Sequence, residues 1–226
     1  MISENELSIE WNQSGFQARE AARIFAESID KKAFDPVVLE PAMMSCDQMP
    51  GYSVLQHGID VEDHFFRLLM HGCSPLSASW RVPSWCRYYA TNLSENVHPE
   101  AIWRHYTRYH DCGKPHCRIV DEDGKHHFPD HAAVSARVWL EVGGDANIAV
   151  LIGSDMVIHT ADADTIDKFC KEQWSAQDAV TLLLASLAEI HANSRLFGGM
   201  ESTGFKMKWN KIDRRGRQIL RFFFPK

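Results

Sequence analysis

One apolar segment, AVTLLLASLAEIHANSRL (residues 179–196), constrains the fold of this chain more than any other feature. Ser175 and Asp178 stand before it with the spacing of a capping box, which satisfies free backbone N–H groups at the start of a helix. Gly198 and Gly199 follow it, and glycine commonly ends helices. The segment therefore predicts a long final helix.

The segments before it also have helical periodicity. In DVEDHFFRLLMHG, the residues Val61, His64, Phe65 and Leu68 recur at i, i+3, i+4 and i+7, so that His64 points into the core. In HPEAIWRHYTRYHD, Pro99 suits a first helical turn. Two further helices are predicted over residues 130–141 and 145–160, and a loop is predicted over residues 112–130. Together these patterns predict an all-α fold class for the body of the chain.

The composition is that of a water-soluble protein with one substantial core. The chain has 226 residues, of which 45% are hydrophobic and 24% are charged. The first residues, MISENELSIEWNQ, contain no basic and apolar leader, and no apolar run approaches the roughly 20 residues of a membrane helix. We therefore expect a soluble, cytoplasmic protein with no membrane partner. The six cysteines show no paired framework and are expected to be reduced thiols.

We divide the chain into three parts. They are an N-terminal helix with an irregular, proline-containing wrap (1–55), a main helical domain (56–200) and a basic C-terminal tail (201–226). In the tail, Phe205 and Trp209 alternate with lysines, and a second β-like run follows a turn at residues 213–217. This pattern predicts a short C-terminal β-hairpin.

The tail also differs from the rest of the chain in charge. Residues 203–226 contain eight Lys and Arg against one Asp, which is a net charge of +7, whereas the whole chain carries −6. Such separation is unfavourable unless a negative partner meets the tail. One alternative is that the tail docks on the acidic body of the protein. The other is that it contacts nucleic acid, with Trp209 as a stacking surface.

Three of the predicted helices each offer a side chain that can bind a metal. His110 and Asp111 end the second of these helices, where burial and the helix dipole disfavour a carboxylate unless a cation is close. Glu189 lies among small residues of the final helix. His64, taken alone, is better explained as a core histidine. The C-x4-C pair of Cys112 and Cys117 alone is weak support for zinc.

The order of these residues resembles a known family. D-V-x-x-H (60–64), H-D-x-G-K-P (110–115) and F-P-D-H followed by S-A (128–136) resemble the HD-domain metal-dependent phosphohydrolases. The chain is most similar to the HD domain of bacterial CCA-adding tRNA nucleotidyltransferases, including the acidic DEDG loop at 121–124. The similarity covers roughly residues 56–196. We expect no accompanying nucleotidyltransferase domain and no synthesis of tRNA ends.

The resemblance implies a set of metal ligands. By position in the motifs, His64, His110 and Asp111 would bind the ion. A late acidic ligand is also implied, at a place where relatives usually have Ala-Asp and this chain has Ala188-Glu189. A glutamate offers the same oxygens with one more methylene of reach, so we expect Glu189 to serve as this ligand.

A second departure from the family concerns Asp155, which stands where many relatives have histidine. Asp155, together with His131 and His159, is a candidate ligand of a second metal or of the phosphate. The alternative is that Asp155 orients a histidine. We expect one metal rather than two. The mixed nitrogen and oxygen ligands favour a divalent transition metal, namely Mn, Co, Ni, Fe or Zn, over magnesium.

These residues predict a phosphoester hydrolase. The ion would activate water and polarise a phosphoryl oxygen beside Asp111, Lys114 would neutralise phosphate charge, and His131 would protonate the leaving oxygen. The expected activity is that of a phosphomonoesterase or a 2′,3′-cyclic phosphodiesterase on nucleotides or RNA ends. Two alternatives stay open: a di-iron oxygenase of a small phosphonate or polyol, and a catalytically weak nucleotide-binding module.

Overall fold

The computed structural model describes residues 34–72 and 80–225. The N-terminal helix predicted within residues 1–55 lies outside the described residues. The chain forms two compact units, each built from two stretches of sequence. Unit 1 comprises residues 1–58 and 108–154, and unit 2 comprises residues 59–107 and 155–226.

Unit 1 combines short helices with two small antiparallel hairpins. A 3-10 turn at Pro36–Leu39 opens it. Its elements in chain order are α1 (Glu40–Ser45), β1 (Asp47–Met49), β2 (Tyr52–Ser53), the start of α2 (Val54–Met70), the end of α5 (Glu100–Tyr109), α6 (Lys114–Cys117), β3 (Ile119–Val120), β4 (His126–His127), α7 (His131–Glu141) and α8 (Ala146–Ser154). In this unit β1 pairs with β2, and β3 pairs with β4.

The core of unit 1 forms around α7 and α8, which pack against each other. Trp139 is fully buried, its indole N–H donates to the carbonyl of Asp145 at 3.0 Å, and Phe34 meets its ring edge-on at 4.9 Å. Ile148 and Leu151 of α8 are also buried. The loop predicted over residues 112–130 contains α6 and the β3–β4 hairpin, whose turn includes Gly124 at φ 76°.

The regular elements of unit 2 are all helices among its described residues. Its elements are the rest of α2, α3 (Ser84–Tyr88), α4 (Ala90–Asn96), most of α5, α9 (Val157–Thr160), α10 (Ala163–Glu172), α11 (Ala176–Ala192), a 3-10 turn (Ser194–Phe197) and α12 (Thr203–Phe223). The helix predicted over 145–160 is therefore two helices, α8 and α9. The predominantly α-helical class is confirmed, while the HD bundle stays a prediction.

Helix α11 forms the centre of unit 2. Its capping box is present as predicted, since Ser175 Oγ accepts from the N–H of Asp178 and the Asp178 carboxylate accepts from the N–H of Ser175. Nearly every residue from 178 to 192 is buried, because α4, α9 and α12 pack around the helix. An apolar surface on all sides of a helix is typical of such a central position.

The predicted C-terminal β-hairpin is wrong, since residues 203–223 form the continuous helix α12. Ser202 caps this helix by accepting from the N–H of Phe205 at 3.1 Å. The alternation that suggested a strand covers only residues 205–209, and Met207 within it is 68% exposed. Over the longer window the buried positions follow the helical period: Phe205, Ile212, Asp213, Gly216, Ile219 and Leu220. Packing of this face on α10 and α11 favours a helix over a hairpin.

No helix among residues 34–72 and 80–225 combines the length and the hydropathy needed to cross a membrane.

Candidate metal centre

The aspartate of the His110–Asp111 pair is the centre of a polar cluster in unit 1. Asp111 follows the end of α5 and is 1% exposed. Its Oδ2 accepts from Lys114 Nζ at 2.6 Å and lies 3.2 Å from His110 Nε2. Lys114 is itself only 8% exposed. The sequence-predicted residues His110, Asp111 and Lys114 thus lie together.

The turn after Asp111 is fixed against α7. The backbone N–H of Gly113 donates to Ser135 Oγ at 2.9 Å, and the thiol of Cys112 donates to the Ser135 carbonyl at 3.3 Å. A Cβ atom on Gly113 would lie 2.3 Å from the backbone nitrogen of Ser135, so only glycine permits this approach. The turn therefore positions Asp111 relative to the residues of α7.

His57, which the sequence analysis did not select, belongs to the same cluster. It lies on α2, is fully buried, and places Nε2 3.5 Å from Asp111 Oδ2. Its ring centroid is 5.1 Å from that of His110, and one ring nitrogen of each lies within 4.8 Å of the other. His57 precedes Val61 by four residues and so extends the apolar face of α2. This spacing was the signal that could have identified it.

His131, at the start of α7, completes the cluster. Its Nδ1 donates to the carbonyl of Phe128 at 3.0 Å, and its Nε2 lies 3.6 Å from Asp111 Oδ1. When Nδ1 carries the proton, Nε2 of the neutral ring presents a lone pair. A backbone partner on one ring nitrogen is the usual arrangement of a histidine that binds a metal through the other.

Gln48 of β1 is a further residue that the sequence did not indicate. Its Oε1 accepts from Lys114 Nζ at 2.9 Å. The ammonium group also lies 5.3 Å from the ring centroid of Phe128. Lys114 is therefore held by a carboxylate, an amide and an aromatic ring.

The donor atoms of this cluster fit a transition-metal ion. Ligand atoms held at about 2.1 Å from one ion lie about 3.0–3.4 Å apart. His110 Nε2 lies within this range, at 3.2 Å from Asp111 Oδ2. His57 Nε2, at 3.5 Å from Oδ2, and His131 Nε2, at 3.6 Å from Oδ1, lie just beyond it. Asp111 Oδ1 is buried and accepts no hydrogen bond from the residues that the structure describes. Imidazole nitrogens with a carboxylate are ligands for Mn, Fe, Co, Ni and Zn rather than for magnesium.

The electrostatics of the cluster keep the aspartate ionised. Burial alone would raise the pKa of Asp111, but the charges of Lys114, His110 and His131 and the hydrogen bond from His110 hold this pKa well below its usual range. A carboxylate that is negative at all working pH values is the state that a metal ligand requires.

The thiols near the cluster, unlike the Asp111 carboxyl group, are favoured in their neutral form. Burial is the main cause that raises the pKa of Cys112 well above its usual range and also raises that of Cys117. The cysteines of the described residues are free: Cys46, Cys86, Cys112, Cys117 and Cys170. These five form no disulfide, and their reduced state stays a prediction.

The remaining predicted ligands belong to unit 2. Asp155 is buried and accepts from the hydroxyl of Tyr106 at 2.6 Å. His159 Nε2 lies 2.8 Å from Glu189 Oε2. Burial lowers the pKa of His159, but the carboxylates of Glu189 and Asp155 outweigh this effect and raise it. The structure thus groups these three acidic and imidazole side chains within unit 2, where their role as ligands stays a prediction.

His64 has a different environment in unit 2. It is half-buried, its Nδ1 donates to the carbonyl of Asp60 at 2.7 Å, and its ring stacks on Trp80 at 5.2 Å. The ring of Trp80 also stacks on that of His191, at 4.4 Å between centroids. His64 has the backbone partner expected of a core histidine, and its role as a metal ligand stays a prediction.

Comparison of the chain with protein-family models, with curated proteins and with solved structures found no match. The similarity to HD-domain phosphohydrolases therefore stays a prediction. The chemistry of the Asp111 cluster is the basis for inferring what the protein does.

Proposed function

We propose that this protein is a metal-dependent phosphohydrolase, a phosphomonoesterase or 2′,3′-cyclic phosphodiesterase, that acts on nucleotides or RNA ends. The observation that carries the proposal is the buried Asp111 carboxylate, which has three imidazole nitrogens within 3.6 Å of its oxygens. His57, His110 and Asp111 would hold the ion, with His131 as a further ligand or as an acid. The bound ion would supply Lewis-acid polarisation and a water of lowered pKa.

Lys114 binds the phosphoryl group in this proposal. Its ammonium is a compact charge that neutralises phosphate oxygens. Asp111 and Gln48 hold Nζ at 2.6 and 2.9 Å, so that little conformational entropy is lost when substrate binds. Because Lys114 stays 8% exposed, its charge acts in surroundings that contain little water.

His131 handles the proton. With Nδ1 bound to the Phe128 carbonyl, Nε2 is the ring atom that faces Asp111. In the protonated ring, Nε2–H donates to the leaving oxygen of the phosphoester, and in the neutral ring the same atom accepts a proton from water. One side chain is thereby sufficient for both proton transfers of a hydrolysis.

The test measures metal binding and hydrolysis separately. Calorimetry with Mn²⁺, Co²⁺, Ni²⁺ and Zn²⁺, and a panel of phosphomonoesters and 2′,3′-cyclic nucleotides, would be applied to wild type, His57→Ala and His110→Ala. We expect both variants to lose metal affinity at least about tenfold and to lose hydrolysis. His116→Ala is the matched control because His116 is exposed on α6. Unchanged metal binding in both test variants would contradict the proposal.

The same measurements separate the alternatives. Oxygen uptake by iron-loaded protein, without hydrolysis of any phosphoester, would favour a di-iron oxygenase. Metal-dependent binding of nucleotides with no turnover across the panel would favour a binding module.

A further inference from the structure

The cations of α12 divide into two groups, and the first group binds unit 2 itself. Lys206 Nζ lies 3.1 Å from a carboxylate oxygen of Glu201. Lys211 Nζ donates to the carbonyl of Thr160 at 3.1 Å, and Arg215 Nη2 donates to the carbonyl of Ala161 at 2.6 Å. These side chains attach the helix to its own unit. Part of the positive charge of the tail is therefore used within the protein.

The second group, Arg214, Arg217 and Arg221, points to solvent. All three are exposed, and their spacing of three and four residues places them on one side of α12. Arg217 makes an ion pair with Asp213 at 2.6 Å. Among the residues that the structure describes, neither Arg214 nor Arg221 has a carboxylate oxygen within 4.0 Å of its guanidinium. Two arginine charges on this side are thus not neutralised by any of the described residues.

These arginines line two adjoining hollows of unit 2. Arg217 and Arg221 line both, one of about 540 Å³ and the other of about 490 Å³, and Arg214 lines the second. Asp167 is a carboxylate at the second hollow, but its Oδ1 already accepts from Gln218 at 2.8 Å. The hollows are therefore concave and predominantly cationic.

Aromatic side chains form another part of the wall of the first hollow. Tyr88 is 60% exposed there, beside the buried rings of Trp85 and Tyr89. Helix α12 approaches this wall closely, since a Cβ atom on Gly216 would lie 2.5 Å from a ring carbon of Trp85. Because Gly216 has no side chain, α12 can lie close to Trp85. Tyr88 then lines the same hollow as Arg217 and Arg221. Trp209, by contrast, donates its indole N–H to the carbonyl of Arg81 at 2.7 Å.

We propose that this surface, formed by Arg214, Arg217, Arg221 and Tyr88, binds single-stranded RNA. From residue 214 to residue 221 the helix rises about 10 Å, which is more than one phosphate group occupies, so that the arginines fit successive phosphates. A planar guanidinium pairs with phosphate through two parallel N–H groups. An exposed aromatic ring beside the phosphates stacks an unpaired base, which a duplex does not offer. The inference goes beyond the proposed hydrolysis and stands whether or not Asp111 holds a metal.

The test is a binding measurement on the full chain in EDTA, using fluorescence anisotropy of a labelled 12-nucleotide oligouridylate over a range of salt concentrations. Replacing Arg214, Arg217 and Arg221 together by alanine should weaken binding at least about 30-fold at low salt. It should also reduce the slope of log K against log salt by about 2, because three phosphate contacts contribute about 0.7 each. Tyr88→Ser should weaken binding about tenfold, and Tyr88→Phe should bind as the wild type does.

The matched control removes the same charge from the same helix. Lys206, Lys208 and Lys211 are replaced together by alanine, and circular dichroism verifies that each variant is folded. We expect the control to change affinity less than about threefold. An equal loss in both triple variants would overturn the proposal, because it would show an effect of net charge alone.

Three further outcomes would also overturn it: no binding of the oligonucleotide by wild type in 50 mM salt, binding of duplex RNA as tight as that of single strands, or displacement of the oligonucleotide by UMP at equal concentration. EDTA excludes metal-dependent turnover. A failure here is therefore distinct from a failure of the proposed hydrolysis.

Discussion

Each of the two units contains a carboxylate beside imidazole nitrogens, and the two arrangements differ in charge. In unit 1, Asp111 is one acid among Lys114 and three histidines, and its side chain is 2% exposed. In unit 2, Glu189 is 19% exposed and lies beside His159, while Asp155 accepts from Tyr106. The first arrangement has four nitrogen-bearing side chains around one carboxylate. The second has two carboxylates, those of Glu189 and Asp155, and one imidazole, that of His159.

The difference shows which protonation state each environment stabilises. In unit 1 the surrounding cations lower the pKa of the aspartate, so the acid is held charged. In unit 2 the surrounding acids raise the pKa of His159, so the base is favoured in its charged form. An ionised carboxylate is the state that binds a metal, whereas a protonated imidazole has no lone pair to offer on the same atom.

The largest effect is expected at Asp111. Asp111→Ala should lower the unfolding free energy in EDTA by about 3–5 kcal/mol, because the variant leaves the buried Lys114 without its carboxylate. Urea denaturation followed by circular dichroism measures this. Asp63→Ala, at a side chain that is 48% exposed, is the control. A loss below about 1 kcal/mol at Asp111 would remove the contrast between the two units.

Tyr106→Phe tests Asp155, a buried acid of unit 2. The hydroxyl of Tyr106 donates to Asp155 at 2.6 Å, and both residues are buried. Loss of a hydrogen bond to a charged acceptor should cost about 1.5–3 kcal/mol of unfolding free energy. Tyr88→Phe, at an exposed tyrosine, should change it by less than about 0.5 kcal/mol. Equal values for the two variants would show that Asp155 does not depend on this bond.

The pair of His159 and Glu189 should contribute to stability in a pH-dependent way. Because the folded-state pKa of His159 is raised above its ordinary 6.5, the contribution is present below 6.5 and is lost as the pH rises through the folded value. Glu189→Gln should therefore lower the unfolding free energy by about 1 kcal/mol at pH 5 and by nearly nothing at pH 9 in EDTA. Glu141→Gln, whose partner is an arginine, is the control. A larger loss at pH 9 than at pH 5 would reverse the assigned sign.

The smallest effect is expected for an exposed ion pair of similar length. Arg67 Nε lies 2.7 Å from Asp63 Oδ2, which is close to the 2.6 Å between Lys114 and Asp111, but both side chains are about half exposed. A double-mutant cycle should give a coupling energy of no more than about 0.5 kcal/mol, decreasing in 0.5 M salt. A coupling above about 1.5 kcal/mol would mean that burial does not explain the difference between the pairs.

Sequence alone predicted the features that depend on local signals. The capping box of α11 and the helix from 131 to 141 follow from side chains within a few residues of each other, and both are present. The pairing of His110, Asp111 and Lys114 follows from a short turn. The tail was predicted wrongly because a five-residue alternation was given more weight than the helical period of twenty-one residues.

Other features depend on contacts between residues that are distant in sequence. Gln48 meets Lys114 across 66 positions, and His57 lies 54 positions before Asp111. No local pattern specifies either approach, although the helical spacing of His57 and Val61 places that histidine on a buried face. The division of the tail cations is of the same kind, since Arg215 reaches a carbonyl 54 residues away while Arg214 is exposed.

The turn at Gly113 has an evolutionary consequence. Any other amino acid would place a carbon atom 2.3 Å from the backbone of Ser135 and would displace α7, which begins with His131. A mutation of Gly113 would thus displace His131, the proposed proton donor. Descendants of this sequence can vary Phe128 or Gln48 at the edge of the cluster and change its properties gradually. Position 113 allows no such intermediate steps, so that we expect lineages either to retain its glycine or to lose the arrangement altogether.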